Sequence, residues 1–289
     1  SPMTHAEARR DKSLLAPFYA FDPAWSPGML TSGTTRRDGM IAYQDIAPTI
    51  LQRFDPAAQS NGLPAHMRGS EIVVAKRASS GIVGDAKAEH SQLLQEIKNV
   101  ENVHSLRPRL SYPLVTAQAI TLFAGLLFVF LPTRPVLSQW MRAMLLSILA
   151  VPVLLLLLGK FPAWPHTALI LLFCVALVSV GWILHRLPLR TALFAVSAIT
   201  ACMILVDVFF GAETMQHSIL GYDPIIGARF YGIGNEFMGV LIGSSLLALS
   251  VWQQGAGRQT LAPWLVFIPI VIYMAAPFWG TNAGGTIAA

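Results

Sequence analysis

Six long apolar runs constrain the fold of this chain more than any other feature of its sequence. They are Leu114–Leu131, Met141–Leu158, Pro165–Leu184, Leu189–Phe210, Phe237–Trp252 and Leu261–Trp279. Each is roughly long enough to cross about 30 Å of hydrocarbon as a helix. Because a segment in lipid must satisfy its own backbone N–H and C=O groups, we expect an all-α polytopic membrane domain over residues 113–289.

The composition supports this interpretation: 54% of the residues are hydrophobic and 12% are charged. The net charge is +5, but the basic residues are scattered between the apolar runs and form no single basic face. We therefore expect the lipid bilayer as a partner and no nucleic acid. Both cysteines lie inside apolar runs, which gives neither a disulfide framework nor a CxxC metal site.

The basic residues between the runs predict an orientation. One side carries Arg134, Arg142, Arg186, Arg190 and Arg258, and the other carries Lys160 and Arg229. By the positive-inside rule, the richer side is cytoplasmic. The sequence therefore predicts a multi-pass plasma-membrane protein with its N-terminal residues outside the cytoplasm.

The N-terminal part predicts a small α/β lobe over residues 1–84. The short apolar runs 14–21, 39–43 and 71–75 are typical of buried strands. Asp45 is placed to cap a helix over IAPTILQRF, with Pro48 tolerated in its first turn. Residues 85–112 predict an amphipathic juxtamembrane helix, with apolar side chains at helical spacing.

Two segments of this lobe resemble a known family. LTSGTTRRDGMIAYQDIAPTIL, Leu30–Leu51, and LPAHMRGSEI, Leu63–Ile72, resemble the C-terminal end of an alkaline-phosphatase-superfamily domain, the group of phosphatases, sulfatases and phosphoglycerate mutases. The resemblance covers only residues 1–75, and the membrane domain resembles no family. It implies metal-dependent phosphoryl or sulfuryl transfer, with two metal ions at the reacting oxygens.

The sequence also departs from that family. The Ser or Thr nucleophile and most of the Asp and His ligands have no counterpart here, and His5, His66, His90 and His104 stand at no metal-ligand spacing. The catalytic residues are therefore unknown, no metal site or cofactor is identifiable, and enzyme activity stays undecided. Both chain ends look cut, so we expect a fragment of a longer protein. Either the catalytic half, with divalent metal ions, lies upstream of residue 1, or the lobe is degenerate.

The turn at residues 34–37 is a candidate anion site. Thr34 and Thr35 offer hydroxyl groups and Arg36 and Arg37 offer guanidinium forks, which suit a phosphate or sulfate group. A solvated turn with two surface arginines is the alternative.

A second candidate site lies in the polar, glycine-rich interval Gly211–Gly239. Ionisable groups beside a bilayer are costly unless they face water, one another or a ligand. The amides at the start of the fifth run favour an anionic ligand, whereas Glu236 favours a cation or a sugar hydroxyl. The candidate ligand-binding residues are Asp207, Asp223, Arg229, Tyr231, Asn235, Glu236 and Asn282. An ordinary external loop is the alternative.

Two functions are consistent with these features. In the first, an envelope-associated membrane protein carries a lobe that acts on or binds phosphate-containing lipids or glycans. In the second, the membrane domain is a transporter or channel, and the lobe is a non-catalytic sensor or partner-binding module.

Overall fold

The computed structural model describes residues 15–21, 23, 25–55, 62, 64, 67–75, 86–130, 135–227, 229–256 and 262–276. The chain forms two compact units. The lobe unit contains the residues up to Glu101 together with Asp223–Tyr231, and the bundle unit contains Asn102–Tyr222 together with the residues from Gly232 onward. The sequence predicted a lobe over residues 1–84 and a membrane domain over residues 113–289, but not that the segment Asp223–Tyr231 joins the lobe.

The described part of the lobe unit contains two short strands, which pair antiparallel. β1, Leu30–Ser32, and β2, Ile72–Val74, align Leu30 with Val74 and Ser32 with Ile72. β2 confirms the strand predicted at 71–75. The strand predicted at 14–21 is wrong for the described residues 15–21, which have no regular secondary structure. Pro17 lacks the N–H that a paired strand would donate there.

The strand predicted at 39–43 is also wrong. Arg37 and Met40 form only an isolated bridge, since Gly39, with φ of 81°, closes a turn and a 3-10 turn begins at Tyr43. Too few residues remain between these turns to form a strand. The predicted helix is present as α1, Ile46–Phe54, and contains Pro48 in its first turn.

α2 is one continuous helix, Ala86–Phe128, and it contains both the predicted juxtamembrane helix and the first predicted span. It runs without interruption through Pro108 and Pro113. The described part of the chain therefore has no separate linker between these two segments. Residues 86–101 of α2 belong to the lobe unit and the rest belongs to the bundle unit.

The other helices of the bundle unit follow in chain order. They are α3, Pro135–Leu158; α4, His166–Arg186; α5, Leu189–Phe209; the single-turn α6, Glu213–Gln216; α7, Asn235–Ala256; and α8, Ala262–Ala275. Among the described residues, α2, α3, α4, α5 and α7 are long and apolar enough to cross a membrane. α8 is shorter, and the sixth predicted run extends beyond it into residues outside the described set.

The bundle is packed through apolar side chains. α3 packs against α4 and α5, and α5 packs against α7. Buried side chains such as Leu146, Phe173, Ile204 and Phe237 fill these contacts. Many large apolar side chains point outward, as Val178 does with 68% exposure, and such a surface is stable where lipid replaces water.

The two ends of the bundle unit carry different side chains. At the junction of α4 and α5, Arg142 donates to the carbonyl of Leu187 and Arg186 lies over the ring of Trp182. Tryptophan and arginine at helix ends are typical of a membrane–water interface. At the junction of α3 and α4, Asn102 of α2 donates to the carbonyls of Pro162 and Trp164. Which end faces the cytoplasm stays a prediction.

Candidate functional site

A buried carboxylate organises the lobe unit. The side chain of Asp45 is fully buried and accepts four hydrogen bonds. Ser32 Oγ and Ala42 N donate to Oδ2 at 2.6 and 2.9 Å, and Thr34 Oγ1 and Ser70 N donate to Oδ1 at 2.5 and 3.0 Å. An isolated charge would be unstable here, but four donors replace its hydration. Asp45 therefore connects β1, the following turn, α1 and the segment that precedes β2.

Asp45 occupies the N-cap position of α1, as the sequence predicted. Its side chain, however, makes no capping hydrogen bond to the helix. Its carboxylate instead accepts from Ala42, three residues earlier, and from groups far away in sequence. Its own main-chain carbonyl accepts a hydrogen bond from Thr49 Oγ1, whose hydroxyl in turn accepts from the N–H of Ile72. These bonds couple the start of α1 to β2.

The two threonines of the candidate anion site face the interior of this network. Thr34 Oγ1 donates to Asp45 and lies 3.0 Å from Ser70 Oγ, and Thr35 Oγ1 donates to the carbonyl of Met40 at 2.6 Å. Each threonine hydroxyl thus gives its only proton to a protein acceptor. A ligand at this turn would have to be held mainly by the arginines.

The two arginines of the turn point to different environments. Arg37 is buried, and its NH2 donates to Glu96 Oε1 of α2 at 2.6 Å. Its NH1 is buried without a hydrogen-bond partner among the described residues. Arg36 is exposed and has a left-handed backbone, with φ of 51°. A non-glycine residue in that region is uncommon and costs free energy.

Arg36 connects the two candidate sites that the sequence predicted separately. Its guanidinium carbon lies 4.2 Å from the centroid of the Tyr231 ring, a cation–π geometry. Tyr231 belongs to Asp223–Tyr231, the segment that joins the lobe unit. The structure therefore brings Arg36 together with part of the second candidate site.

Two further residues of that segment were predicted as ligand-binding. Asp223 is 6% exposed, and its Oδ1 accepts a hydrogen bond from the N–H of Ile225 at 3.0 Å, which forms a local turn. Arg229 follows one residue that lies outside the described set, and it also makes contacts within the molecule. Both residues lie in the lobe unit with Arg36 and Tyr231.

The other predicted ligand-binding residues belong to the bundle unit. Asp207 near the end of α5 accepts hydrogen bonds from the N–H groups of Thr214 and Met215 at 3.0 and 2.9 Å. Its carboxylate thereby satisfies two of the free amides of α6. These two contacts assign Asp207 a local structural role.

Asn235 and Glu236 are exposed at the start of α7. The carbonyl of Gly234 accepts the first helical hydrogen bond, from Met238 N at 2.9 Å, so Gly234 is the N-cap residue of α7. Asn282 lies outside the described residues. The ligand role of all these residues stays a prediction.

The described residues form no metal centre of the type that the resemblance implies. Within the described ranges, no group of three His, Cys, Asp or Glu side chains could hold a metal ion. Both oxygens of Asp45, the most buried carboxylate of the lobe, already accept two hydrogen bonds each. We therefore assign no reaction step to a metal ion in this chain.

Comparison with known proteins does not place the chain in a family. No family model, no curated protein and no solved structure matches it. Its class therefore follows from its own helices. Five segments long and apolar enough to span a bilayer define a multi-pass integral membrane protein.

Proposed function

We propose that this chain is an envelope membrane protein whose lobe unit binds the phosphate group of a lipid or glycan. The contact between Arg36 and Tyr231 carries the proposal. It holds an exposed guanidinium at a defined position, 4.2 Å from the ring centroid. A guanidinium presents several N–H donors in a planar fork, and this geometry suits a phosphate group better than a single ammonium does.

The backbone around Arg36 supports the same assignment. The turn is held by Asp45, Ser32 and Thr34, and Arg36 has a left-handed backbone. Strained residues that the surrounding structure holds in place are concentrated at binding sites. An arginine held in this way loses less conformational entropy on binding than a freely moving one.

The resemblance to the alkaline-phosphatase superfamily remains part of the proposal. Its two segments pack together in the lobe unit, since Asp45 from the first segment accepts from the N–H of Ser70 in the second. On this view the lobe contributes phosphate binding, and phosphoryl transfer would need residues outside this sequence. The membrane-domain transporter stays the alternative.

Binding of a phosphate-headgroup lipid to the full chain in nanodiscs tests the proposal. Arg36→Ala should weaken binding of a long-chain alkyl phosphate by about tenfold, which corresponds to about 1.4 kcal/mol. Arg36→Lys should recover only part of the loss, because the planar fork is absent. Arg68→Ala is the matched control, since it removes the same charge from another exposed position of the lobe unit.

Two outcomes would count against the proposal. If Arg36→Ala and Arg68→Ala weaken binding equally, only the net charge attracts the lipid and the site is wrong. If neither variant changes lipid binding, and solute enters vesicles only when the bundle unit is present in their membrane, the transporter hypothesis replaces the proposal.

A further inference from the structure

The acidic side chains of the bundle unit lie at one end of it. Among its described residues they are Asp207 near the end of α5, Glu213 at the start of α6 and Glu236 at the start of α7. The sequence from Asn102 to Val206 contains no aspartate or glutamate. The opposite end, where α4 meets α5, is separated from Asp207 by most of α5, about 26 Å at 1.5 Å per residue.

This α4–α5 junction carries arginines without a carboxylate to pair with them. Arg142 of α3 donates from NH2 to the carbonyl of Leu187 at 2.5 Å, and its buried Nε has no hydrogen-bond partner among the described residues. Arg186 ends α4 and Arg190 lies in the first turn of α5, and both are exposed. Like charges so close in the chain repel one another unless an anion or water screens them.

Two tryptophans place these arginines at the surface of the membrane. The guanidinium carbon of Arg186 lies 5.7 Å from the centroid of the Trp182 ring. The ring of Trp140 lies 5.1 Å from that of Trp182, and Trp140 is 52% exposed. Tryptophan is enriched where lipid headgroups meet hydrocarbon, at the ends of membrane-spanning helices. The positive charge of the junction therefore lies at the level of the headgroups.

We infer that the α4–α5 junction binds the headgroup of one acidic phospholipid. The phosphate oxygens accept hydrogen bonds from the guanidinium groups of Arg142 and Arg186, a geometry that the planar fork of arginine favours. Basic pockets between membrane helices bind such headgroups. A zwitterionic headgroup fits less well, because its own ammonium group would be repelled by the arginines. The inference does not rest on the proposed function, since all its residues belong to the bundle unit.

Native mass spectrometry of the full chain in detergent tests this inference. Phosphatidylglycerol is the acidic probe and phosphatidylcholine is the zwitterionic reference. We expect the protein to retain phosphatidylglycerol in preference to phosphatidylcholine. Arg186→Gln and Arg142→Gln should each raise the Kd for phosphatidylglycerol about tenfold, whereas Arg142→Lys should recover part of the loss because it restores the charge but not the fork.

Arg109→Gln is the matched control. It removes an exposed arginine of α2 at the other end of the bundle unit, where Arg109 NH1 lies 2.8 Å from His166 Nδ1. It should leave the retention of phosphatidylglycerol unchanged. Thermal unfolding establishes that each variant remains folded. Should the half-buried Arg142 be needed for folding, the exposed Arg186 still decides the test.

Three outcomes would overturn the inference. If Arg186→Gln and Arg109→Gln weaken retention equally, only the net charge attracts the lipid. If phosphatidylcholine is retained as strongly as phosphatidylglycerol, the junction does not recognise the acidic headgroup. If Arg36→Ala, in the lobe unit, lowers retention and Arg186→Gln does not, the lipid binds at the lobe, so that the inference fails while the proposed function stands.

Discussion

The two units of this protein are stabilised by opposite kinds of interaction. In the lobe unit, the fully buried Asp45 accepts four hydrogen bonds that join β1 and the turn after it to the segment before β2. In the bundle unit, apolar side chains fill the contacts between helices, and the hydrogen bonds between elements lie mainly near helix ends. The lobe therefore depends on a few directional contacts, and the bundle depends on close packing over a large surface.

This difference predicts where each unit is vulnerable. Removal of one member of a buried polar network leaves several partners unsatisfied. Substitution of a single side chain therefore lowers the free energy of unfolding by a large amount. A packed helix bundle distributes its stability, and it fails locally where two backbones approach too closely. Hydrogen exchange measured on peptides from each unit distinguishes the two behaviours.

The largest expected effect is that of Asp45→Ala. Without the carboxylate, the hydroxyls of Ser32 and Thr34 and the N–H groups of Ala42 and Ser70 lose their acceptor. We expect a loss of about 3–5 kcal/mol, enough to unfold a small lobe. Hydrogen exchange of β1, β2 and α1 should accelerate strongly, while peptides of α3, α4 and α5 keep their protection.

Asp38→Ala is the control, since Asp38 is an exposed carboxylate near the same turn. Its exchange pattern should match that of the unmodified protein. Equal protection of β1 and β2 in both variants would show that Asp45 does not hold the lobe together.

The next largest effect is expected in the bundle unit, for Gly159→Ala. A Cβ atom at Gly159 would lie 2.1 Å from the main-chain oxygen of Thr214, closer than any real contact allows. The segment after α5 would have to move away from the end of α3, and Ser218 would lose its hydrogen bond to the carbonyl of Leu155. We expect a loss of about 2–3 kcal/mol, seen as a lower midpoint in thermal unfolding in detergent.

Gly239→Ala provides the opposite case for the same substitution. A Cβ atom at Gly239, or at Gly243, meets no atom within 4 Å in the described part of the chain. Alanine has the higher helix propensity, so the variant should be neutral or slightly stabilised. A similar loss of stability in both variants would mean that close approach at Gly159 is not the cause.

The comparison of the two units also explains what the sequence could predict. The spans and α1 were predicted because apolar periodicity, Pro48 and the run lengths are local signals. The pairing of Arg36 with Tyr231 was not predicted, since the two residues lie far apart in sequence and no local pattern links them. Asp45 was correctly predicted at the N-cap position of α1, but the partners of its carboxylate were not, because an acidic residue before a helix gives the same pattern whether its carboxylate caps the helix or accepts from distant groups. The open apolar cleft between α5, α7 and α8 was not predicted either, because it depends on how three helices pack, which hydrophobicity alone does not determine.

A smaller effect is expected where α2 meets the α3–α4 junction within the bundle unit. Asn102 Nδ2 donates to the carbonyls of Pro162 and Trp164 at 2.7 and 2.9 Å. Asn102→Ala removes both donors, and we expect a loss of about 1–2 kcal/mol. Asn99→Ala, which removes an exposed contact with Gln95 on the same helix, should change the unfolding midpoint much less. Indistinguishable midpoints for the two variants would contradict a stabilising role of Asn102.

The smallest expected effect concerns the contact between Arg36 and Tyr231 within the lobe unit. Exposed cation–π pairs contribute about 0.5–1 kcal/mol, so the free energy of unfolding of the lobe should respond only weakly. Tyr231→Phe keeps the ring and should be nearly neutral, whereas Tyr231→Ala removes it. A double-mutant cycle of Arg36→Ala with Tyr231→Ala, followed by hydrogen exchange in the lobe unit, should give a coupling of about 0.5–1 kcal/mol. Zero coupling would show that the ring does not hold the guanidinium in place, and phosphate binding at Arg36 would then depend on the turn around Asp45 alone.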